Sequence, residues 1–497
     1  MPHDWAIDGP FDPAAPGGTA GIVSPVTNTA VKATRTLSDL LVCGSVDDFS
    51  RLTGKLTVTI PRTGKLSAKY ACDGGTIAFS ASRWDAKDLS VKGADGTLVA
   101  TLKPTKKANV GKYSLKVSAF ADGHVEAMLT DSAYPRLALE AISDGKAWSR
   151  SNAATDWKGR YTATILPAGT KVKTSSYSTD VLPGTLDDGG TGLAPRGAGY
   201  LALAMTESKD VYAGRIRWAG KLPDGTKISG SSVLTAGAVF DDDEAALDYG
   251  YLPIFARVTT KLTSKVTTLD RIALVARIAR RSLNCPRSIM PAEEFARGEW
   301  THMVTKPAAS SSAFSYKMDV FIFGNLYDPK ANLKECCELD NVFPKTLGAL
   351  TLGTMGAGVA PIQIEGNAVA IAVQEGKTRA KDTIKITSPK SENPLGLTLT
   401  FNRSTGVATG TFMLPYLTAS GVRKTAKANW QGVILLGWCS GCSDCMDPPE
   451  TLVLEDIFLP FLTGGYTVSW NVTETASLKA CQTVLGAMVE SEQDESK

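Results

Sequence analysis

From Leu52 onward, apolar residues recur at every second position. Leu56, Val58 and Ile60 alternate with Thr57 and Thr59, and after a break at Pro61 to Gly64 the rhythm resumes at Leu66, Ala68 and Tyr70. Successive side chains of a strand point to opposite faces, so a period of two with β-branched residues on both faces marks a half-buried strand. The rhythm continues through Thr76, Ala78 and Ser80; Leu98, Ala100 and Leu102; Tyr113, Leu115 and Val117; and Val125, Ala127 and Leu129. Breaks fall at Asp73-Gly74, Asp95-Gly96 and Asp122-Gly123, and Asp-Gly accepts the positive φ angles of tight hairpin turns. The pattern predicts an antiparallel meander over residues 52–135.

Two later segments share this design of alternating strand, turn, and second strand with a small residue near its start. Leu201, Leu203 and Met205 lead to Val211, Gly214 and Ile216; Leu397, Leu399 and Phe401 lead through Asn402 and Gly406 to Val407, Gly410 and Phe412. Small residues there let a strand bend, or let a neighbour's bulky side chain close over it. Gly-x-Tyr followed by alternation recurs at Gly111 to Tyr113 and Gly159 to Tyr161. The copies are unevenly spaced, which reads as duplication of modules and not as a solenoid of short units. The run Arg271 to Arg281 fits either a helix or a strand burying Ile272, Leu274, Ala276 and Ile278; its neighbours favour the strand.

A chain of 497 residues exceeds the size at which single cores stop growing, about 250–300 residues. The expected fold is therefore all-β: several antiparallel β-barrel or β-sandwich modules with little helix. We expect an extended arm or linker at 1–51, the meander at 52–135, barrel or sandwich modules at 155–300 and 316–475, and a C-terminal tail at 476–497. Residues 136–156 and 301–315 read as connections. Thr475 to Glu490 fits a closing helix or a last strand.

Hydrophobic residues at 43% and charged residues at 21% suit a chain that buries a core. Fifty-three Lys plus Arg against 50 Asp plus Glu leave a net charge of +3, too balanced for a basic stripe tracking a phosphate backbone. The basic clusters at Lys103, Lys106 and Lys107 and at Arg277, Arg280 and Arg281 read as solvated edges, so no nucleic-acid partner is expected. No apolar run reaches the roughly 20 residues of a membrane-spanning helix; the best candidate is Gly432 to Trp438. The N-terminus lacks the basic and apolar regions of a secretory signal, so the expectation is an intracellular protein or a downstream piece of a longer exported polypeptide.

Nine cysteines, an odd number, are too sparse for a disulfide scaffold. The densest cluster is Cys439, Cys442 and Cys445, two overlapping Cys-x-x-Cys units. Thiolates at that spacing can converge on zinc or an iron–sulfur cluster, with Cys481 as a distant fourth ligand. Disulfides stapling the loop are the favoured reading, and Cys336-Cys337 reads as an ordinary pair pointing to opposite faces of a strand. His3, His124 and His302 lie in unrelated segments and form no recognisable nucleophile–base arrangement, so they read as surface or rim positions. Ser143 to Lys146 matches Ser-x-x-Lys without its partner motifs. Gly353, Gly356 and Gly358 have the wrong order for a dinucleotide loop.

Asp241, Asp242, Asp243 and Glu244, and Asp187-Asp188-Gly189-Gly190, could gather around calcium, but neither has the ligand spacing of a helix–loop–helix site; solvated loops are the preferred reading. Trp157, Trp218, Trp300, Trp430, Trp438 and Trp470 could serve as stacking platforms for sugars, although alternating strands make core packing the default. We expect no catalytic residues and no cofactor, with zinc or calcium the ions these clusters would take.

Trp157 to Tyr161, Gly199 to Leu203, Lys221 to Thr226 with Ile228 to Ser231, Leu397 to Phe412 and Trp430 to Leu436 together resemble the β-repeat regions near the C-termini of large bacterial surface or exported proteins. The resemblance spans about residues 155–475. It implies an extracellular, non-catalytic stalk, scaffold or adhesion-like role at the cell surface; separately, surface polysaccharide or protein is the partner we expect. The cysteines and the missing secretory signal depart from that pattern. The alternatives are a carbohydrate- or protein-binding module, and a metal or redox protein built on the 439–445 cysteines.

Overall fold

The computed structural model describes residues 35–42, 53–61, 65–72, 75–83, 89–92, 97–119, 125–132, 139–143, 148–167, 172–173, 178–179, 185–187, 194–195, 198–236, 249–262, 264–279, 288–291, 298–306, 315–331, 333, 348–351, 368–378, 381–387, 389–417, 422–435, 461–473 and 476–486. The protein is mostly antiparallel β, as the alternation predicts.

The first sheet comprises β1 (Arg35–Val42), β2 (Gly54–Ile60), β3 (Lys65–Cys72), β4 (Gly75–Arg83), β5 (Leu89–Lys92), β6 (Thr97–Pro104), β7 (Tyr113–Ala119), β8 (Val125–Asp131) and β9 (Leu139–Ser143). The order is β1-β2-β3-β4-β6-β7-β8-β9, with β5 beside β6. The three Asp-Gly pairs fall between strands that pair as antiparallel neighbours, though the dipeptides themselves lie outside the described residues. Leu56, Val58, Ile60, Leu66, Tyr70, Leu102, Leu115, Val117 and Leu129 share one core.

Strand β4 departs from the sequence reading. Thr76, Ala78 and Ser80 are not its inward set; Ile77, Phe79 and Ala81 are. The register places Tyr70 opposite Ile77 and Ala68 opposite Phe79, so the bulkier apolar set joins the face of its cross-strand partners. The sheet also outgrows the expected meander. Strand β1, inside the expected arm, pairs with β2, and β9, inside the expected connection at 136–156, pairs with β8. Each satisfies backbone groups of an otherwise open edge. The sheet curves enough to bring β1 alongside β9.

The second sheet is built from β10 (Gly159–Pro167), β13 (Leu186–Asp187), β14 (Gly199–Met205), β15 (Arg215–Lys221), β16 (Lys227–Val233), β17 (Thr235–Ala236), β18 (Tyr249–Lys261), β19 (Thr267–Ala279), β20 (Ser288–Pro291), β21 (Gly298–Lys306) and β22 (Tyr316–Tyr327). A short ribbon of β11 (Val172–Lys173) and β12 (Ser178–Thr179) stands apart, and helix α1 (Ser208–Tyr212) joins β14 to β15. The order β16-β15-β14-β10-β22-β20-β19-β18-β17, with β21 between β19 and β22, curls until β16 comes alongside β18. The result is a nearly closed barrel.

Inside it, Tyr161, Leu201, Ile216, Trp218, Leu252, Ile254, Trp300 and Met318 form one core. The run Arg271 to Arg281 is a strand through Ala279, burying Ile272, Leu274, Ala276 and Ile278 as expected. Thr301 to Lys306, expected as a connection, belong to β21 because they complete the β19 and β22 ladders.

Beyond the barrel, β23 (Gly348–Thr351), β24 (Ala368–Gln374) and β25 (Thr383–Ile386) form a small sheet. A five-stranded sheet follows: β26 (Thr398–Asn402), β27 (Val407–Leu417), β28 (Arg423–Leu435), β29 (Phe461–Thr473) and β30 (Ala476–Gly486). The expected tail thus begins with a strand, held by pairing with β29.

Polar side chains tie the sheets together. The Thr162 hydroxyl, fully buried on the outer face of β10, donates to the Ile434 carbonyl of β28 at 2.7 Å. Tyr327 of β22 donates to the Arg403 carbonyl, and Arg403 Nε returns a bond to the Pro329 carbonyl at 2.8 Å. Lys55 of β2 donates to the Ser231 carbonyl of β16 at 2.9 Å.

One end of the barrel is stopped by two indoles. Trp157 donates to the Ile278 carbonyl at 3.2 Å and meets Trp148 edge-on at 5.7 Å, and Trp148 donates to the Leu234 carbonyl at 2.6 Å. Gly214 makes room for Trp148: its φ is +59°, and a Cβ there would fall 2.1 Å from the indole ring. This is the small residue under a bulky neighbour that the strand–turn–strand pattern anticipates.

Two outcomes are expected from denaturant unfolding. Gly214→Ala combines left-handed strain with an indole clash and should cost roughly 2–4 kcal/mol. Thr162→Val, which leaves the Ile434 carbonyl without its hydroxyl donor, should cost about 1–3 kcal/mol.

Candidate functional site

At the other end of β19 the barrel interior turns polar. Asp270 lies directly opposite His302 of β21, and His302 lies opposite Tyr316 of β22. Cross-strand partners share a face, and alternation puts Asp270 and His302 on the same face as the core residues Ile272 and Trp300. Asp270 is therefore a carboxylate on the inner face of the barrel wall, only 1% exposed.

A fourth element closes over this row. The β15–β16 connection is a tight turn in which Leu222 N–H donates to the Thr226 carbonyl at 2.9 Å and Gly225 N–H to the Leu222 carbonyl at 2.8 Å. Gly225 takes the positive φ of +82° that the turn requires. Leu222 enters the core, and Asp224 is carried in over the mouth.

The four elements bring two carboxylates and an imidazole together. His302 Nδ1 is 2.7 Å from Asp270 Oδ1 and 3.9 Å from Asp224 Oδ2. Trp300 Nε1–H donates to Asp270 Oδ1 at 3.3 Å. Thr226 donates twice to Asp224, from its backbone N–H at 2.8 Å and its hydroxyl at 2.7 Å. That hydroxyl lies 3.5 Å from Asp270 Oδ2; it carries one proton, and the shorter bond to Asp224 takes it. Tyr316 stacks on the imidazole at 4.7 Å and 7° and meets Trp300 edge-on at 5.0 Å, so an aromatic wall sets the plane of the ring.

Burial raises the Asp224 carboxyl from its ordinary 3.8 to about 6. The nearby Asp270 charge adds to the rise, and the Thr226 bonds and His302 oppose it. On the outer face of the same strands, Glu299 bridges Arg271 and Lys317, the latter at 2.6 Å. Burial works to raise the Glu299 carboxyl, but the Lys317 bond and the two cations outweigh it and hold it below the usual carboxylate range.

Donor atoms of Asp224, Asp270 and His302 all lie within 4.8 Å of one another. Such a set can relay a proton between carboxylate and imidazole, or offer one nitrogen and two oxygens to a cation. Asp224 and His302 side chains keep 12% and 13% exposure, so the cluster reaches solvent at the barrel mouth.

The sequence reading anticipated only part of this. His302 is not the isolated rim position expected, because β19 and the turn bring Asp270 and Asp224 to it. Asp224 was legible as part of a turn, without a chemical role. Cys439, Cys442, Cys445, Cys336, Cys337, His3, His124, the 241–244 and 188–190 acidic loops and the 353–358 glycines lie outside the described residues. Cys481 is on β30 opposite Thr467. Trp157, Trp218, Trp300 and Trp430 are buried at 5% exposure or less, which removes those four as sugar-stacking platforms; Trp438 is outside the described residues, and Trp470 is on β29. Lys103, Lys106 and Lys107 are exposed, as a solvated edge requires.

No protein-family model matches the chain, and no match to it was found among curated proteins or solved structures. No described helix is long and apolar enough to cross a membrane.

A carboxyl raised in the folded state favours folding fully below its unfolded value, and that contribution is lost as pH rises through the folded value. In chelator-containing buffer, Asp224→Asn should therefore gain stability over the parent as pH rises from about 4 to 6, levelling at about 1–3 kcal/mol above that. Urea midpoints of both proteins across that pH range check this, and a pH-independent difference contradicts it.

Proposed function

We propose that this chain is a non-catalytic structural or adhesion-like β-module protein of the bacterial cell surface or exported fraction. It acts as a rigid scaffold that holds or presents a surface to polysaccharide or protein. The observation that carries the reading is how the sheets are filled and joined. The barrel core is built from its own aromatic and aliphatic side chains, among them the fully buried Trp300, Tyr161 and Leu252. The sheets on either side are fastened to the barrel by buried or half-buried hydrogen bonds from Thr162, Tyr327, Arg403 and Lys55. Packing of this kind transmits load and resists local opening, as a stalk or scaffold needs. The β-repeat resemblance of residues 155–475 supports the same role.

Antibodies against the purified chain provide the test. In intact source cells the protein should be labelled from outside and degraded by added protease. Full protection until the cells are broken open would overturn the surface assignment.

A further inference from the structure

We propose that Asp224, Asp270 and His302 bind one divalent first-row transition-metal ion, with zinc as the best match, and that the ion clips the β15–β16 turn to the barrel wall. This inference is independent of the scaffold role: either can fail without the other.

The donor set selects the class of ion. One imidazole nitrogen and two carboxylate oxygens match the ligands zinc uses at sites with three protein ligands. Calcium takes six to eight oxygens, and magnesium keeps most of its water; neither is served by an imidazole and two carboxylates in a narrow mouth. Geometry agrees. Ligands about 2.0–2.1 Å from a tetrahedral zinc stand roughly 3.3–3.4 Å apart, and the His302 Nδ1 separations of 2.7 Å from Asp270 and 3.9 Å from Asp224 bracket that distance. An ion entering between them opens the Asp270–His302 pair and closes the Asp224–His302 pair by about 0.6 Å each, and all three donor atoms already lie within 4.8 Å of one another. It takes the place of the proton between imidazole and carboxylate: a neutral His302 then carries its one proton on Nε2, and a protonated pair releases its extra proton to solvent.

The surroundings are those of oriented ligands. Metal-bound carboxylates and imidazoles are held by outer partners that fix their direction. Here Thr226 holds both oxygens of Asp224, Trp300 holds Asp270, and Tyr316 fixes the imidazole plane. Two carboxylates inside a barrel repel each other in a medium of low polarity, and a divalent cation between them reverses that term. Partial exposure of Asp224 and His302 provides the entry path and leaves a fourth position for water. The ligands come from a turn and from two strands that the turn otherwise overlies, so the bound ion cross-links the barrel end.

The test uses the full chain, purified without chelator, with Cys439→Ser, Cys442→Ser, Cys445→Ser and Cys481→Ser in a parallel variant. Metal analysis should find one zinc per chain in both. Cobalt(II) substitution should give visible absorption of a four- or five-coordinate ion without a thiolate-to-cobalt charge-transfer band. Asp224→Asn, confirmed as folded by near-ultraviolet circular dichroism, should bind at least about tenfold more weakly, and Thr226→Val roughly 10–100-fold more weakly. Zinc should raise the melting temperature of the parent and not that of Asp224→Asn. The proposal is overturned if the folded parent binds no stoichiometric metal, if Asp224→Asn binds as tightly as the parent, or if all binding disappears with the four cysteines.

Discussion

Eight consecutive register pairs, from Arg160 opposite Tyr327 to Pro167 opposite Val320, join β10 to β22. Everything else in the barrel depends on that pairing. On one side of it stand β14, β15 and β16, which are local hairpin neighbours; on the other stand β18 to β21. Neither half alone covers the inward residues it presents. When β10 meets β22, Tyr161, Ala163 and Ile165 close against Val320 and Ile322 in one core. The contact spans a long stretch of sequence, so its loop-closure cost is met only when that burial is complete.

The same strand pair also organises the outside. Thr162, between two inward residues of β10, faces away from the core and reaches β28, while Tyr327 at the end of β22 reaches the β26–β27 turn. Tyr200, Val433 and Leu435 form a small apolar cluster in the seam between the two sheets. Core packing and sheet docking thus rest on alternate residues of one ladder. A shift of one residue between β10 and β22 would exchange the two faces and undo both at once.

Strand content was legible because period-two alternation needs only local information. The failures came where local information was insufficient. In β4 both faces hold small or apolar residues, and the choice between Ala78 and Phe79 was made by the partners on β3. Strand β1 lies in a stretch rich in small and polar residues and becomes a strand through what it pairs with.

The candidate site was missed for a related reason: Asp270 and His302 are 32 residues apart and meet only through register. One signal was available. Inward parity assigned to Ile272, Leu274, Ala276 and Ile278 extends back to Asp270, so an acid was already due on the inner face; asking what would neutralise it would have led to the histidine two positions after Trp300.

The two stoppers of the barrel differ in kind. Asp270 and Ile278 are eight residues apart on β19, roughly 27 Å at about 3.3–3.4 Å per residue. Around Ile278 the closure is an indole pair and a glycine that cannot be enlarged; around Asp270 it is a hydrogen-bonded turn resting on ionisable groups. Protons and ions can therefore act on the closure around Asp270, whereas the closure around Ile278 answers to side-chain volume. The cylinder thus has a chemical polarity: acid or a cation acts at its carboxylate rim, and a change of residue size acts at the tryptophans.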